Sequence, residues 1–331
     1  MDKKLGNILK FVLSSVLAVL LVYLACRGIE WGKFAEGLRS TRWGWIAMFI
    51  VASFSALFFR TVRWMQMLRV HDPSIRFGRV WDATTIGAMS SIAIPASGEF
   101  VRCGLVTSDR LHYETSLGIV VMERATDLVA ILILFLSALF TGWARFGTFF
   151  TEKIWAPVSN GSTVFWIILA LALMAGLLIF LAWKFKDRNV VMAKIYNVIA
   201  GFFAGFISFK DMPRKTPFII FTFCIWVSYM FMSFFVIRGI PALDGLGIGD
   251  AMFVSAIGNV ASVVPVPGGL GPYHYLLRTT LVYVYEVATE TGLLFATLNH
   301  ELHAFFVIFF GSISYVERIM IRKNRLPERK K

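Results

Sequence analysis

Long apolar runs dominate this chain, and their lengths decide the fold class. Six of them are long enough to cross a hydrocarbon core of about 30 Å as one helix. They are Ile8–Cys26, Trp43–Val62, Ser116–Thr141, Thr163–Trp183, Thr216–Ile237 and Gly292–Tyr315. Two further apolar stretches are interrupted: Val80–Val101 at "AIPASGEF" and Ala251–Tyr285 at "VVPVPGGLGP". Proline removes a backbone donor and glycine loosens a helix, so neither stretch is one continuous helix. The breaks are predicted at Pro95 and Gly98 in the first, and at Pro265, Pro267, Gly268, Gly269 and Gly271 in the second. Two shorter pieces read as interfacial helices. "IEWGKFAEGLRS" puts Trp31, Phe34 and Leu38 on one face, and "AKIYNVIAGFFAGFISFK" does the same with Ile195, Ile199, Phe202 and Phe206.

Charge then orients the runs. Lysine and arginine gather at the N-terminus (Lys3, Lys4, Lys10), from Arg60 to Arg79, from Lys184 to Lys215, and after Arg318. Placing all four regions in the cytoplasm puts both termini there. The polarity balances only if each broken stretch enters and leaves on one side, the first from the cytoplasm and the second from outside. The fold class is therefore all-α polytopic membrane protein, with six full spans plus two re-entrant broken hairpins. The halves match in order: span, interfacial helix, span, broken hairpin, span. "WDATTIGAMSSIAIPASG" aligns with "GDAMFVSAIGNVASVVPVPG", each with an aspartate and then a proline three residues before a glycine. "MERATDLVAILI" aligns with "LNHELHAFFVIF". The second half runs in the opposite sense, which makes an inverted-topology repeat: residues 1–160, residues 161–320, and a basic cytoplasmic tail, 321–331. Secondary transporters use this arrangement, with sites at midplane between interrupted helices.

Composition narrows the function classes. Of 331 residues 57% are hydrophobic and only 16% charged, which no soluble domain requires. The net charge of +13 accordingly reads as membrane orientation, and no nucleic-acid-binding module accompanies it. Cys26, Cys103 and Cys224 are odd in number and irregular in spacing, so neither a disulfide framework nor a metal cluster is expected. The basic start and apolar run of "MDKKLGNILKFVLSSVLAVLLVYLAC" resemble a signal peptide. The run is long and no small-x-small cleavage site follows it, so an uncleaved first helix is predicted.

The candidate chemistry lies in ionisable residues inside apolar runs, each costing about 2.5–3.5 kcal/mol to insert. "VVMERATDLVAIL" places Glu123 and Asp127 on one helical face with Arg124 beside them. A structural ion pair and a head-group or proton site both fit. Glu99 and Arg102 are three apart and can pair on one turn, or the arginine can grip a phosphate. His274 and Arg278 occupy a comparable place beyond the second break, and Arg278 has no acidic neighbour in sequence, so an anionic partner from another helix or a ligand is expected. Asn299, His300 and His303 could contact a head group or relay protons opposite Glu123 and Asp127. Their spacing is one short of H-E-x-x-H, so no metal is expected. Free N–H groups near Gly271–Tyr273 would suit a phosphate. No catalytic residues and no cofactor are predicted.

"RTVRWMQML", "PASGEFVR", "VVMERATDLVA" and "VVPVPGGLGPYH", taken together, resemble the lysylphosphatidylglycerol synthase transmembrane-region family, from about Ile8 to about Tyr315. The resemblance implies a flippase-like protein that moves a lipid between leaflets of the bacterial cytoplasmic membrane. By position, Gly98, Glu99 and Arg102 match the family's glycine-glutamate-arginine motif. Glu123, Arg124 and Asp127 match its charged central helix, and Pro265 to Gly271 its second glycine-rich loop. Full enzymes of the family add a soluble aminoacyl-transfer domain, whereas this chain ends at "RLPERKK", so a stand-alone member without synthase activity is expected. Many members also place an acidic residue after the second loop, where this chain has Pro272, Tyr273 and His274. The reading is translocation of an anionic phospholipid, aminoacylated lipid or lipid-linked sugar. Its partner is therefore a membrane lipid, either phospholipid or polyprenyl-linked, with no nucleic acid and with room for a homo-oligomer. A small-solute or ion secondary transporter is the alternative, and an intramembrane enzyme on lipid head groups a third.

Overall fold

The structure is a computed structural model and describes residues 3–141, 163–187, 215–261 and 266–325, with Asn189, Met192, Ala193, Tyr196 and Val264. Pro265 and the second interfacial segment (193–210), apart from Ala193 and Tyr196, lie outside the described residues. Among the described residues the chain is helical with no strand. In order come α1 (Lys3–Cys26), α2 (Trp31–Arg39), α3 (Trp43–Leu68), α4 (Phe77–Ala93), α5 (Ser97–Val106) and α6 (Tyr113–Thr141). Then follow α7 (Thr163–Phe185), α8 (Lys215–Gly239), α9 (Ile248–Ala261), α10 (Pro272–Tyr285) and α11 (Thr289–Arg325). Short 3-10 turns at Pro241–Leu243 and Pro267–Gly269 precede α9 and α10.

Three helices among the described residues are long and apolar enough to cross a membrane alone: Trp43–Leu68, Lys215–Gly239 and Thr289–Met320. Ser15–Cys26 and Trp31–Arg39, bent by 83° to one another, make a fourth if taken as one span. α6 is 29 residues long but carries Glu123, Arg124 and Asp127 in its interior. On α2, Trp31 is exposed while Phe34 and Leu38 pack toward the core, as an amphipathic helix requires. Outward faces elsewhere are apolar, with Val51, Leu132, Ile133, Phe223 and Phe305 all exposed. That surface belongs in lipid rather than water.

α3 and α8 pack antiparallel at the centre. At one end the Arg42 N–H donates to the Gly239 carbonyl at 2.8 Å, and the Arg42 guanidinium grips Asp244 at 2.8 and 2.7 Å. Around this pair α4 packs on α11 and α6 packs on α9. At the opposite end Asp72 accepts hydrogen bonds from Ser74 and Ser108, which hold its carboxyl below the ordinary carboxylate value. There too Arg79 and Arg318 both donate to the Leu105 carbonyl, at 3.3 and 3.0 Å.

The first break is shorter than "AIPASGEF" suggests. Ile94 is extended (φ −130°, ψ 116°), as the residue before a proline tends to be. Ala96 is left-handed at φ 61°, and α5 starts at Ser97. Gly98 therefore does not break the helix, contrary to expectation; it is the second residue of α5. Its role is proximity. A Cβ on Gly87 would stand 2.8 Å from the Gly98 carbonyl oxygen, so the arms of the hairpin touch backbone to backbone. The orphan groups are met by serines: Ser97 Oγ donates to the Ser90 carbonyl and the Gly98 N–H donates to Ser91 Oγ, at 2.9 and 3.1 Å. In the second break Gly268, Gly269 and Gly271 all adopt positive φ, of 62°, 71° and 94°. The two breaks meet: α4 packs on the Pro267–Gly269 turn, where a Cβ on Gly268 would lie 3.6 Å from the Ile92 carbonyl oxygen.

Candidate functional site: a buried charge network beside the first break

Three helices deliver the charges. Glu99 and Arg102 come from the first turns of α5, which the break turns back toward α6, and Glu123, Arg124 and Asp127 come from α6. Arg60 and Arg63, three apart on α3, complete the set. The predicted pair forms: Arg102 Nε donates to Glu99 Oε2 at 2.7 Å. Arg102 Nη2 also reaches Glu123 Oε2 at 2.5 Å, and its guanidinium lies 4.5 Å over the Trp64 ring. Arg63 bridges the two α6 carboxylates, with 3.0 Å to Glu123 and 2.9 Å to Asp127. Arg124 turns back to Glu99 Oε1 at 2.9 Å, and Arg60 sits farther out, 3.6 Å from Glu123 and 3.8 Å from Glu99.

Glu123 is wholly buried, and Arg63 and Arg102 nearly so. A buried carboxylate is tolerable only when paired, and Glu123 has three guanidiniums around it. Counting four arginines against three carboxylates, the network carries one positive charge in excess. It has donors to spare, since Arg63 Nε and Arg102 Nη1 are buried without a hydrogen-bond partner among the described residues. It also has an open edge. The side chains of Arg60 and Glu99 are 26% exposed and that of Arg124 is 41% exposed. Such a group can take a phosphate by charge-assisted hydrogen bonds without first being uncovered.

In sequence Arg60 and Arg63 flank the predicted end of the span at Val62 and merge with the basic stretch that follows, so their part in the network is not evident there. α3 continues to Leu68. The signal was in "RTVRWMQML", where Trp64 and Met67, both buried, continue the apolar face past the arginines.

The remaining candidates lie elsewhere. Arg278 does not join the network: Nη1 donates to the Leu24 and Ala25 carbonyls at 2.8 and 2.6 Å, closing the C-terminal end of α1. Its hydrogen-bond partners are the carbonyls of a helix terminus, and Glu290 of α11 is near enough to interact with its charge. Asn299, expected opposite Glu123 and Asp127, instead donates to Tyr273 Oη at 2.7 Å and Ser233 Oγ at 3.2 Å. His274 and His300 both approach Glu301, at 3.4 and 2.9 Å. His303 faces away to Ser53 Oγ at 3.3 Å, within the field of Arg60. This second polar group therefore sits behind the second break.

The chain matches the family described as the lysylphosphatidylglycerol synthase TM region over residues 7–311. It belongs to that family. The match spans both breaks and every member of the charge network. With its apolar helices the match makes the chain a multi-pass membrane protein. No curated protein and no solved structure matches it.

Proposed function

We propose that this protein translocates a phosphate-bearing lipid between the leaflets of the bacterial cytoplasmic membrane: an anionic phospholipid, an aminoacylated lipid or a lipid-linked sugar. The observation that carries the reading is the surplus positive charge of the α3–α5–α6 network, open at Arg124 and furnished with unpartnered guanidinium donors on Arg63 and Arg102. Arg60, Arg102 and Arg124 take the phosphate, while Glu99 and Asp127 hold the remainder of the head group or exchange protons. The acyl chains stay on the apolar outer faces.

The reading takes six spans with both termini cytoplasmic from the charge pattern, and packing supports the inverted repeat of residues 1–160 and 161–320. Contacts come in exchanged pairs: α4 with α11 matches α6 with α9, α3 with α4 matches α8 with α9, and α5 with α6 matches α10 with α11. α3 and α8, equivalent in the repeat, pack on each other, as expected of helices beside a pseudo-two-fold axis. Each hairpin also has its glycine at the closest approach, Gly87 against Gly98 and Gly258 against Tyr273. Rocking of one repeat against the other would expose the network alternately to the two leaflets.

The test is flipping of labelled anionic phospholipid in proteoliposomes, wild type against Arg124→Gln. Loss of one accessible charge-assisted contact, worth about 1.5 kcal/mol, slows the step roughly tenfold, and a labelled lipid without a phosphate is unaffected. An unchanged anionic rate sinks the proposal. Uptake of a small anion without lipid movement would assign the site to solute transport instead.

A further inference from the structure

We propose that His274, His300 and Glu301 form a three-ligand site for a divalent transition metal of the zinc class, joining α10 to α11 directly behind the second break. No motif points to it, because His300 and His303 miss the spacing of a zinc helix. The fold changes the partnership: His303 turns to Ser53, and His274 arrives from another helix.

The geometry is that of a ligand set. One donor atom from each of the three residues lies within 4.8 Å of the other two. His274 Nε2 is 3.4 Å from Glu301 Oε1 and His300 Nδ1 is 2.9 Å from the same oxygen. Zinc bonds of about 2.0–2.1 Å in a tetrahedron separate ligand atoms by roughly 3.4 Å, so small ring rotations bring the edges to that spacing. Two imidazoles and a carboxylate also match zinc's preference for nitrogen and oxygen donors, with a fourth position left for water or another ligand.

The surroundings hold the donors in place. The His300 ring packs against Tyr273 and His274, with centroids 4.8 and 5.3 Å apart, and Asn299 donates to the Tyr273 hydroxyl. Gly269 leaves room beside His300, since a Cβ there would stand 3.1 Å from Nε2. The His274 side chain is 10% exposed and its Nδ1 has no hydrogen-bond partner among the described residues, so nothing else claims that ring. Glu301 is 33% exposed, which leaves a way in. A metal here would staple the arm of the second hairpin to α11 and stiffen the meeting point of the two breaks.

The experiment uses the full chain, purified in detergent with any affinity tag removed and stripped with a chelator. Zinc retention is measured by elemental analysis after dialysis, and the visible spectrum is recorded after loading cobalt(II). The expected result is stoichiometric zinc and tetrahedral cobalt bands in the wild type. Zinc affinity falls roughly 10–100-fold or more in Glu301→Gln and His274→Gln. Zinc raises the unfolding temperature of the wild type and not of the variants. Absence of bound zinc, an octahedral cobalt spectrum, or equal affinity in the variants would each overturn the site and leave a carboxylate hydrogen-bonded between two histidines. The cobalt spectrum needs only the wild type, so the outcome does not depend on the variants folding.

Discussion

Arg63 of α3 and Glu123 of α6 form an ion pair at 3.0 Å in which neither side chain is more than 1% exposed. Removing one partner strands the rest. Glu123→Ala leaves Arg60, Arg63 and Arg102 facing one another without their shared carboxylate, and a broken buried pair costs about 3–5 kcal/mol. We expect a large fall in unfolding temperature in detergent for Glu123→Ala. Arg124→Gln, at the open edge, should change stability little. If both variants unfold alike, the network is not organised around Glu123.

The hairpin arms make a steric prediction. Gly98→Ala drives a methyl group into the Gly87 carbonyl and Ser91, so the arms must separate, at a cost of about 1–3 kcal/mol for overpacking. Gly104→Ala, on the same helix, meets nothing within 4 Å and should be neutral or stabilising by up to about 1 kcal/mol. Paired thermal melts of the two variants decide it, and equal effects would contradict the close crossing.

Arg278 separates structure from recognition. Arg278→Ala frees the Leu24 and Ala25 carbonyls at the end of α1 and should destabilise by about 1.5–3 kcal/mol, the range for hydrogen bonds to a charged group. Binding of anionic lipid by the folded fraction should be unchanged, because the charge network lies on other helices. A selective loss of anionic lipid with normal stability would reassign Arg278 to the site.

Asp72 sets a pH dependence. Hydrogen bonds from Ser74 and Ser108 hold its carboxyl below the ordinary value in the folded protein. A group depressed on folding contributes stability above its unfolded pKa, about 3.9, and loses it as pH falls through the folded value. The stability difference between wild type and Asp72→Asn should therefore be full near neutral pH and vanish in strong acid. Melts of both proteins down a pH series test this, and a gap that widens on acidification would refute it.

Much of the architecture was legible because hydrophobic length is a local property. The apolar runs of α3, α8 and α11, the amphipathic α2 and the interruptions at Pro95 and at the second glycine turn all follow from residues adjacent in sequence. The Glu99–Arg102 pair was legible for the same reason, being one helical turn apart. The role of Gly98 is not legible in sequence, because a glycine that relaxes a helix and a glycine that admits a neighbouring backbone look identical until the neighbour is placed.

Pairings across helices belong to the tertiary structure. Arg60 and Arg63 looked like the start of a cytoplasmic basic loop, and the packing of α3 against α6 makes them counter-ions of Glu123 and Asp127. Arg278 looked like an anion site, and the end of α1 takes it. His274 reaches Glu301 only because the glycine turn folds α10 against α11. In lipid, composition alone determines which segments bury themselves and where they must break. Which buried charge neutralises which depends on distances of about 3 Å between helices, and an arginine's pattern in sequence is the same whether its partner is water, a carbonyl or a carboxylate.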